Sequence, residues 1–146
     1  PTSPFTSSIS APASIIIHSS SCDKTYVFWS NILFKNLDFI ELPPDSKGNS
    51  WHLYLMRLNL DKITISREEF AKKLQAEGLG ISVHFIPIFN FTYWKELYPW
   101  FTKENYPNAE NQYSRTISIP LYPDMTQEEV DYVIETIKKV GAENHK

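Results

Sequence analysis

His84 is the side chain whose type and place in the sequence most suggest chemistry. An imidazole titrates near neutral pH and both donates and accepts hydrogen bonds, which suits proton transfer and polar ligand recognition. His84 lies near the end of residues 81–86, where apolar and mixed residues alternate until Pro87. A side chain at the end of a strand reaches a cleft beyond the sheet edge. The alternative is a structural histidine, and the residues alone leave both interpretations open.

Several other kinds of site are excluded by residue counts and spacing. The four histidines are His18, His52, His84 and His145, and no two have the i, i+4 spacing of a helical metal site. Cys22 is the single cysteine, so neither an internal disulfide nor a four-cysteine zinc site forms, and a reducing compartment is favoured. The four glycines match neither GxGxxG nor the P-loop pattern. We predict no metal site and no phosphate-binding loop of those types.

Residues 85–106 are unusually aromatic. Such rings stack on sugars or bases, but in a small domain they more often fill the core or pack on a partner, which is the interpretation we favour. Carbohydrate or protein binding remains the alternative. We expect Arg115, just before the third strand, to form a surface ion pair. The nine aromatic residues are Phe85, Phe89, Phe91, Tyr93, Trp94, Tyr98, Trp100, Phe101 and Tyr106.

Composition sets the class of protein. Of the 146 residues, 42% are hydrophobic and 21% charged, as in a folded soluble domain. The net charge of -3 provides no positive surface for nucleic acid or acidic membranes. No apolar run approaches the roughly 18 residues that cross a bilayer. Lys24, the first basic residue, follows the apolar residues 15–17, unlike the order in a signal peptide. We predict a cytoplasmic protein that binds neither nucleic acid nor membrane.

The chain divides into three parts. Residues 1–22 contain eight serines and three prolines and carry no charged side chain, so we predict a poorly ordered head over 1–35. A compact unit follows at 36–142, with a loop at 43–50 that is rich in turn-forming residues. Residues 143–146 form a tail.

Three strands and four helices are predicted within the compact unit. The strands are expected at 51–58, 81–86 and 116–121. Capping boxes at Ser66 and Glu69, and at Thr126 and Glu129, predict helices at about 67–77 and 126–140. We expect Gly78, with a positive φ, to end the first helix and Gly141 to end the second. Shorter helices are expected at 92–99 and 108–113. The order indicates an α+β fold, a small two-layer α/β sandwich in which helices back a three-stranded sheet.

Four segments, in this order and spacing, resemble the C-terminal small domain of the DegT/DnrJ/EryC1/StrS aminotransferases. They are Ser-Trp-His-Leu-Tyr at 50–54, Gly-Ile-Ser-Val-His-Phe-Ile-Pro at 80–87, Tyr-Pro-Asn-Ala-Glu at 106–110 and Ile-Ser-Ile-Pro-Leu-Tyr-Pro-Asp-Met-Thr at 117–126. Together they are specific, although each one alone is weak. The resemblance covers about residues 36–140 and does not extend into the serine-rich head.

The resemblance implies a pyridoxal-phosphate enzyme that transfers an amino group, usually from glutamate, to a nucleotide-linked keto sugar. The Schiff-base lysine would belong to a large domain outside this chain, so the chain alone is expected to be inactive, without bound cofactor, and to self-associate through its uncovered surface. The resemblance assigns substrate contact to His84 and Phe85 and a catalytic role to no residue here.

The sequence also departs from the family pattern. Members commonly read His-Tyr-x-Pro-Leu-His, whereas Phe85 lacks the tyrosine hydroxyl and Phe89 stands where the second histidine is often found. Residues 22–33 contain only Asp23 and Lys24 as charged residues where the family has a charged helix. Two alternatives therefore stay open: a non-catalytic carbohydrate- or protein-binding module, and a head that is not native coding sequence.

Overall fold

A computed structural model describes residues 34, 36–43 and 53–146 of the chain. The predicted head apart from Phe34, the predicted loop at 43–50 apart from Pro43, Trp51 and His52 lie outside the described residues. The described elements are, in chain order, β1 (Ile40–Glu41), β2 (Tyr54–Leu58), α1 (Arg67–Ala76), a short 3₁₀ helix (Ile88–Asn90), α2 (Thr92–Leu97), α3 (Pro107–Tyr113), β3 (Thr116–Ile119) and α4 (Gln127–Glu143).

The sheet has three antiparallel strands in the order β1-β2-β3. Its register pairs Ile40 with Leu58, and Met56 with Ile117. The predicted fold class, a three-stranded sheet backed by helices, is therefore confirmed. Strand β3 ends at Ile119, directly before Pro120, and occupies one edge of the sheet as the proline indicates.

The predicted strand at 81–86 is wrong, and the two-residue strand β1 takes the third place in the sheet. The segment forms only an isolated bridge, in which Ser82 and Ser118 exchange backbone hydrogen bonds of 3.1 and 2.8 Å. Beyond the bridge, Phe85 is 79% and Ile86 49% exposed. The alternation in the sequence thus does not mark a buried face, because consecutive large side chains both point into solvent.

Both capping boxes form as predicted. Ser66 accepts a hydrogen bond from the Glu69 backbone N–H, and the Glu69 carboxylate accepts one from Ser66. Thr126 and Glu129 repeat the arrangement at the start of α4. Each box satisfies backbone donors that the first helical turn leaves unpaired, which fixes where the helix begins.

Gly141 does not end α4, contrary to the prediction. The helix continues to Glu143, and the backbone N–H of Asn144 bonds to the Gly141 carbonyl. A Cβ on Gly141 would lie 2.1 Å from the Phe39 ring, so the position requires glycine for close packing and not for a turn. Gly78, by contrast, has the positive φ of +89° that the prediction assigned to it at the end of α1.

The core lies between one face of the sheet and the helices α1 and α4. Tyr54, Met56 and Leu58 alternate onto that face from β2. A stripe on α4 at helical spacing packs over them, as predicted. Its members are Val130, Val133, Ile134, Ile137 and Val140. No helix in the described part of the chain is both long and apolar enough to cross a membrane.

The last residues of the chain pack against the segment after β2. Thr64 and Lys146 donate backbone hydrogen bonds to the carbonyls of Asn144 and Lys62, at 2.8 and 3.0 Å. The His145 ring lies 2.8 Å from the Asp38 carboxylate. This hydrogen bond raises the pKa of His145 and lowers the pKa of Asp38, so the two groups hold opposite charges over a wider pH range.

The pair predicts a pH window of extra stability. The stabilisation that follows from the raised pKa of His145 is fully present below the pKa of the unfolded chain, near 6.5, and is lost as the pH rises through the pKa of the folded chain. The stabilisation that follows from the lowered pKa of Asp38 is present above the pKa of the unfolded chain, near 3.8, and is lost as the pH falls through the pKa of the folded chain. Urea unfolding of the wild type and His145→Gln should therefore differ most between these limits. A difference that persists unchanged at pH 9 would contradict the pairing.

Candidate functional site

The outer face of the sheet carries the candidate site. Because side chains alternate along a strand, Leu55 and Arg57 on β2 and Thr116 and Ser118 on β3 project from the face opposite the core. Leu55 pairs directly with Ser118, and Arg57 with Thr116. Helix α3 covers the Thr116 end, where the threonine hydroxyl bonds to the Gln112 carbonyl at 2.6 Å. Ser118 lies at the other end of this face, two residues along β3 from the hydrogen-bonded Thr116.

His84 reaches the Ser118 end of this face through the Ser82 bridge. Cross-strand partners project from the same face of a sheet, so the Ser82 hydroxyl lies on the side of Ser118. His84 follows two residues later. Its Nδ1 lies 2.8 Å from the Ser118 Oγ and 3.3 Å from the Ser82 Oγ. The bridge therefore places His84 at the sheet edge, where the sequence predicted it, without a continuous strand.

Phe85 lies beside His84 as an exposed ring. The two rings meet edge to face with centroids 4.8 Å apart, and 79% of Phe85 is exposed. A ring in this position offers its faces to a planar or apolar ligand surface. The two residues, which are neighbours in the chain, therefore lie side by side at the sheet edge, and their contact with a substrate stays a prediction.

An open groove of about 550 Å³ borders the same edge of the sheet. Its size is that of an ordinary small-molecule site. Ser82 and Ser118 lie along it, together with the end of α1 and the start of α4. The other lining residues are Leu53, Gly78, Leu79, Gly80, Ile119, Pro120, Leu121, Tyr122, Met125, Glu129, Tyr132 and Val133.

Glu129 gives this groove a negative charge. Hydrogen bonds from the Thr126 backbone N–H, the Tyr122 hydroxyl and the Thr126 hydroxyl hold the pKa of the Glu129 carboxyl below its usual value. The same carboxylate raises the pKa of Tyr122 through their hydrogen bond. At neutral pH an ionised carboxylate and a neutral phenol therefore lie where the groove meets α4, which is an unfavourable place for a phosphate group.

The described residues do not fit pyridoxal phosphate by themselves. An aldehyde cofactor of this kind needs a lysine amine for its Schiff base and donors for its phosphate. No lysine of the described ranges lines the groove, and Glu129 opposes an anion there. Within those ranges there is also no group of three histidine, cysteine, aspartate or glutamate side chains that could hold a metal ion.

The aromatic segment at 85–106 forms a small cluster of its own. The Phe89 ring stacks on Tyr106 at 6.2 Å, and Phe101 meets both rings edge to face. Phe89 is buried, but no residue of α2 is. Most of these rings therefore do not fill the core, and the other half of the expectation, that they pack on a partner, stays a prediction. Trp94 and Tyr98 stack in parallel at 5.8 Å on the exposed surface.

Arg115 forms the ion pair that its sequence position suggested. Its Nη1 lies against the Glu41 carboxylate, and Arg57 lies 3.8 Å from the same group. Glu41 thus compensates two arginines at the covered end of the outer face. This arrangement gives no reason to assign Arg115 to ligand binding.

Comparison with known sequences shows which protein family the chain belongs to. The sequence model of the DegT/DnrJ/EryC1/StrS aminotransferase family matches residues 29–138, a range that includes the His84 edge. The chain belongs to this family. The matched range contains all four segments on which the resemblance rests, so the resemblance is confirmed at the level of the family.

Two curated proteins and one solved structure are similar to this member of the DegT/DnrJ/EryC1/StrS family. Protein MJ1066 of Methanocaldococcus jannaschii is 37% identical over 113 residues, 76% of this chain and 29% of that protein. The Bacillus subtilis spore coat polysaccharide biosynthesis protein SpsC is 37% identical over 97 residues, 66% of this chain and 25% of SpsC. The chain therefore spans less than a third of the length of these relatives.

The solved structure is of Spr1654 from Streptococcus pneumoniae, described as a sugar aminotransferase and solved in PLP and PMP forms. The PLP form superposes with a TM-score of 0.70 at 29% identity, covering 84% of this chain and 31% of that one. The likeness confirms that the fold described here occurs as one part of a larger aminotransferase of this family, whose relatives bind the cofactor as intact proteins.

Ser82 and Ser118 are the site residues that sequence reasoning missed. The available signal was the two-residue period of a strand, which places residues i and i+2 on the same face. Ser118 alternates with Ile117 and Ile119, and Ser82 precedes His84 by two residues. Each pattern indicates a shared face, but only the pairing of the two segments shows that the faces coincide.

Proposed function

We propose that this chain contributes the substrate-contact edge of a PLP-dependent aminotransferase that transfers an amino group, typically from glutamate, to a nucleotide-linked keto sugar. The observation that carries the proposal is the position of His84 and Phe85. They lie together at an open edge of a domain whose family match spans them. The description of Spr1654 as a sugar aminotransferase supports a sugar substrate, and the name of SpsC supports a role in polysaccharide synthesis.

His84 and Phe85 would contact different parts of such a substrate. The Nδ1 of His84 is engaged by serine hydroxyls, whereas its Nε2 has no hydrogen-bond partner among the described residues. Nε2 is therefore the atom for a polar contact with a phosphate, carbonyl or hydroxyl oxygen. The exposed Phe85 ring would pack on the base or on a sugar face. Because Phe85 lacks a hydroxyl, its contribution is packing alone.

The cofactor belongs, in this proposal, to polypeptide other than the described residues. Bound pyridoxal phosphate supplies the electron sink for amino-group transfer. The described lysines lie away from the groove, and Glu129 faces it, so the Schiff base is assigned to none of them. This chain's residues would bind and orient the sugar nucleotide while the covalent chemistry takes place on the other domain.

Self-association is part of the same proposal. Phe91, Tyr93, Leu97 and Trp100 each expose close to half or more of their surface. Neighbouring exposed apolar side chains of this size promote contacts with other proteins.

The second candidate function, a carbohydrate- or protein-binding module, rests on the exposed Trp94–Tyr98 stack in this segment.

Calorimetric titration with UDP-N-acetylglucosamine tests the proposed function. We expect the wild-type chain to bind this probe and His84→Ala to bind about tenfold more weakly, since a hydrogen bond to a charged group is lost. His145→Gln is the matched control, because His145 contacts Asp38 and not the candidate site. Equal affinity of the wild type and His84→Ala would overturn the substrate-contact role, and loss on Trp94→Ala alone would favour the binding module.

A further inference from the structure

Two serine hydroxyls converge on one nitrogen of His84. The Ser118 Oγ lies 2.8 Å from Nδ1 and the Ser82 Oγ 3.3 Å from it. Ser118 is only 3% exposed, whereas Ser82 is exposed. The shorter contact thus comes from the buried hydroxyl, shielded from water, and the longer one from a hydroxyl that also reaches solvent.

The backbone holds these hydroxyls in place. Ser82 and Ser118 exchange a pair of backbone hydrogen bonds, and β3 pairs with β2 through Leu55 opposite Ser118. Neither serine can shift along the sheet without breaking these bonds. The ring of His84 is further confined by the edge-to-face contact with Phe85. Its orientation is consequently fixed by the sheet edge before any ligand arrives.

The direction of the short hydrogen bond follows from the needs of the buried hydroxyl. Within the described residues, the Ser118 Oγ has no hydrogen-bond partner other than the His84 Nδ1. If Nδ1 carried the ring proton, it would donate to Oγ, and the Ser118 hydroxyl proton would be buried without an acceptor, which is unfavourable. If Oγ–H donates to the Nδ1 lone pair, both groups are satisfied.

We propose that Ser118 is a positioning residue that fixes the tautomer of His84: its Oγ–H donates to Nδ1, the ring proton lies on Nε2, and His84 presents this N–H as a donor to its ligand. The ligand atom opposite Nε2 is then an acceptor oxygen, such as a phosphate or carbonyl oxygen. The identity of that ligand rests on the proposed function, but the tautomer does not.

Nuclear magnetic resonance of the ring nitrogens tests the tautomer directly. The full 146-residue chain is labelled with ¹⁵N-histidine, and the His84 signals are assigned from their loss in His84→Gln. Above neutral pH we expect an Nε2–H ring, with Nδ1 at the shift of a hydrogen-bonded lone pair. An Nδ1–H ring in the wild-type chain would overturn the proposal without any variant having to fold.

Variants separate positioning from simple packing. Ser118→Ala should move the Nδ1 resonance towards that of an imidazole free in water, and Ser118→Thr, which keeps the hydroxyl, should restore it. Thr116→Val is the matched control. It removes a hydroxyl from the same face of β3, and this hydroxyl bonds to Gln112 and not to His84. An Nδ1 resonance that is the same in Ser118→Ala and in the wild type would contradict the inference.

Binding of UDP-N-acetylglucosamine supplies the functional readout. Ser118→Ala should weaken binding roughly three- to tenfold, the equivalent of one neutral hydrogen bond, and Ser118→Thr should recover it. Unchanged affinity in Ser118→Ala would contradict a positioning role. If the wild-type chain does not bind the probe while its ring is Nε2–H, the proposed function fails and the tautomer assignment stands.

Discussion

Replacing Gly141 by alanine destabilises the domain, although alanine is the better helix former. The new Cβ would lie 2.1 to 2.7 Å from three ring atoms of Phe39. Phe39 is buried, and its ring is held by Phe70 and His145, both with centroids 6.4 Å away, so it cannot swing aside freely. We expect a net loss of about 1–3 kcal/mol, because overpacking exceeds the helix-propensity gain of roughly 1 kcal/mol.

A double-mutant cycle with Phe39→Leu isolates this collision. Leucine withdraws the ring atoms that the Gly141→Ala methyl would strike, so the second substitution should cost less in the Phe39→Leu background than in the wild type. Urea unfolding of the four proteins gives the coupling energy, which we expect to exceed about 1 kcal/mol. Additive effects would show that Phe39 and Gly141 are not in close contact, and a stabilised Gly141→Ala would contradict the packing of α4 on Phe39.

Replacing Ile137 by alanine has the largest expected effect on stability. Ile137 is fully buried in the middle of the α4 stripe that covers the sheet. Removal of a buried isoleucine side chain costs about 2–5 kcal/mol, through lost transfer free energy and the cavity that remains. In a domain of this size we expect the thermal midpoint to fall by roughly 10 °C or more.

Glu135→Ala is the matched control for this substitution. Glu135 lies on the same helix with its side chain 60% exposed, and its ion pair with Lys138 is a surface pair. Such pairs contribute about 0–1 kcal/mol. Thermal unfolding followed by circular dichroism should therefore separate the two variants clearly. Similar midpoints for Ile137→Ala and Glu135→Ala would contradict the placement of the α4 stripe in the core.

Local signals predicted the helices well. The capping boxes at Ser66 and Thr126 are short-range hydrogen-bond patterns, and helix packing stripes repeat at a fixed spacing, so both are readable from neighbouring residues. Gly141 was misread because glycine serves either a turn or a close approach. Only the position of Phe39, about a hundred residues earlier, distinguishes the two.

The strands and the site depended on pairing that no local pattern contains. A strand needs a partner, and residues 81–86 found one only at Ser82, while the two residues of β1 are too few to show a pattern. His84 was identified from its residue type and location. Its closer serine partner, Ser118, lies 34 residues later in the chain, so this contact appears only with the fold.

Amide chemical shifts show directly whether a sugar nucleotide contacts the His84 edge, as we propose. The ¹⁵N-labelled chain is titrated with UDP-N-acetylglucosamine, with His84→Ala as the comparison. We expect shift changes concentrated at Ser82, His84, Phe85 and Ser118, and we expect them to disappear in His84→Ala. Changes confined to Trp94, Tyr98 and Trp100, or no saturable change in the wild type, would contradict the proposal.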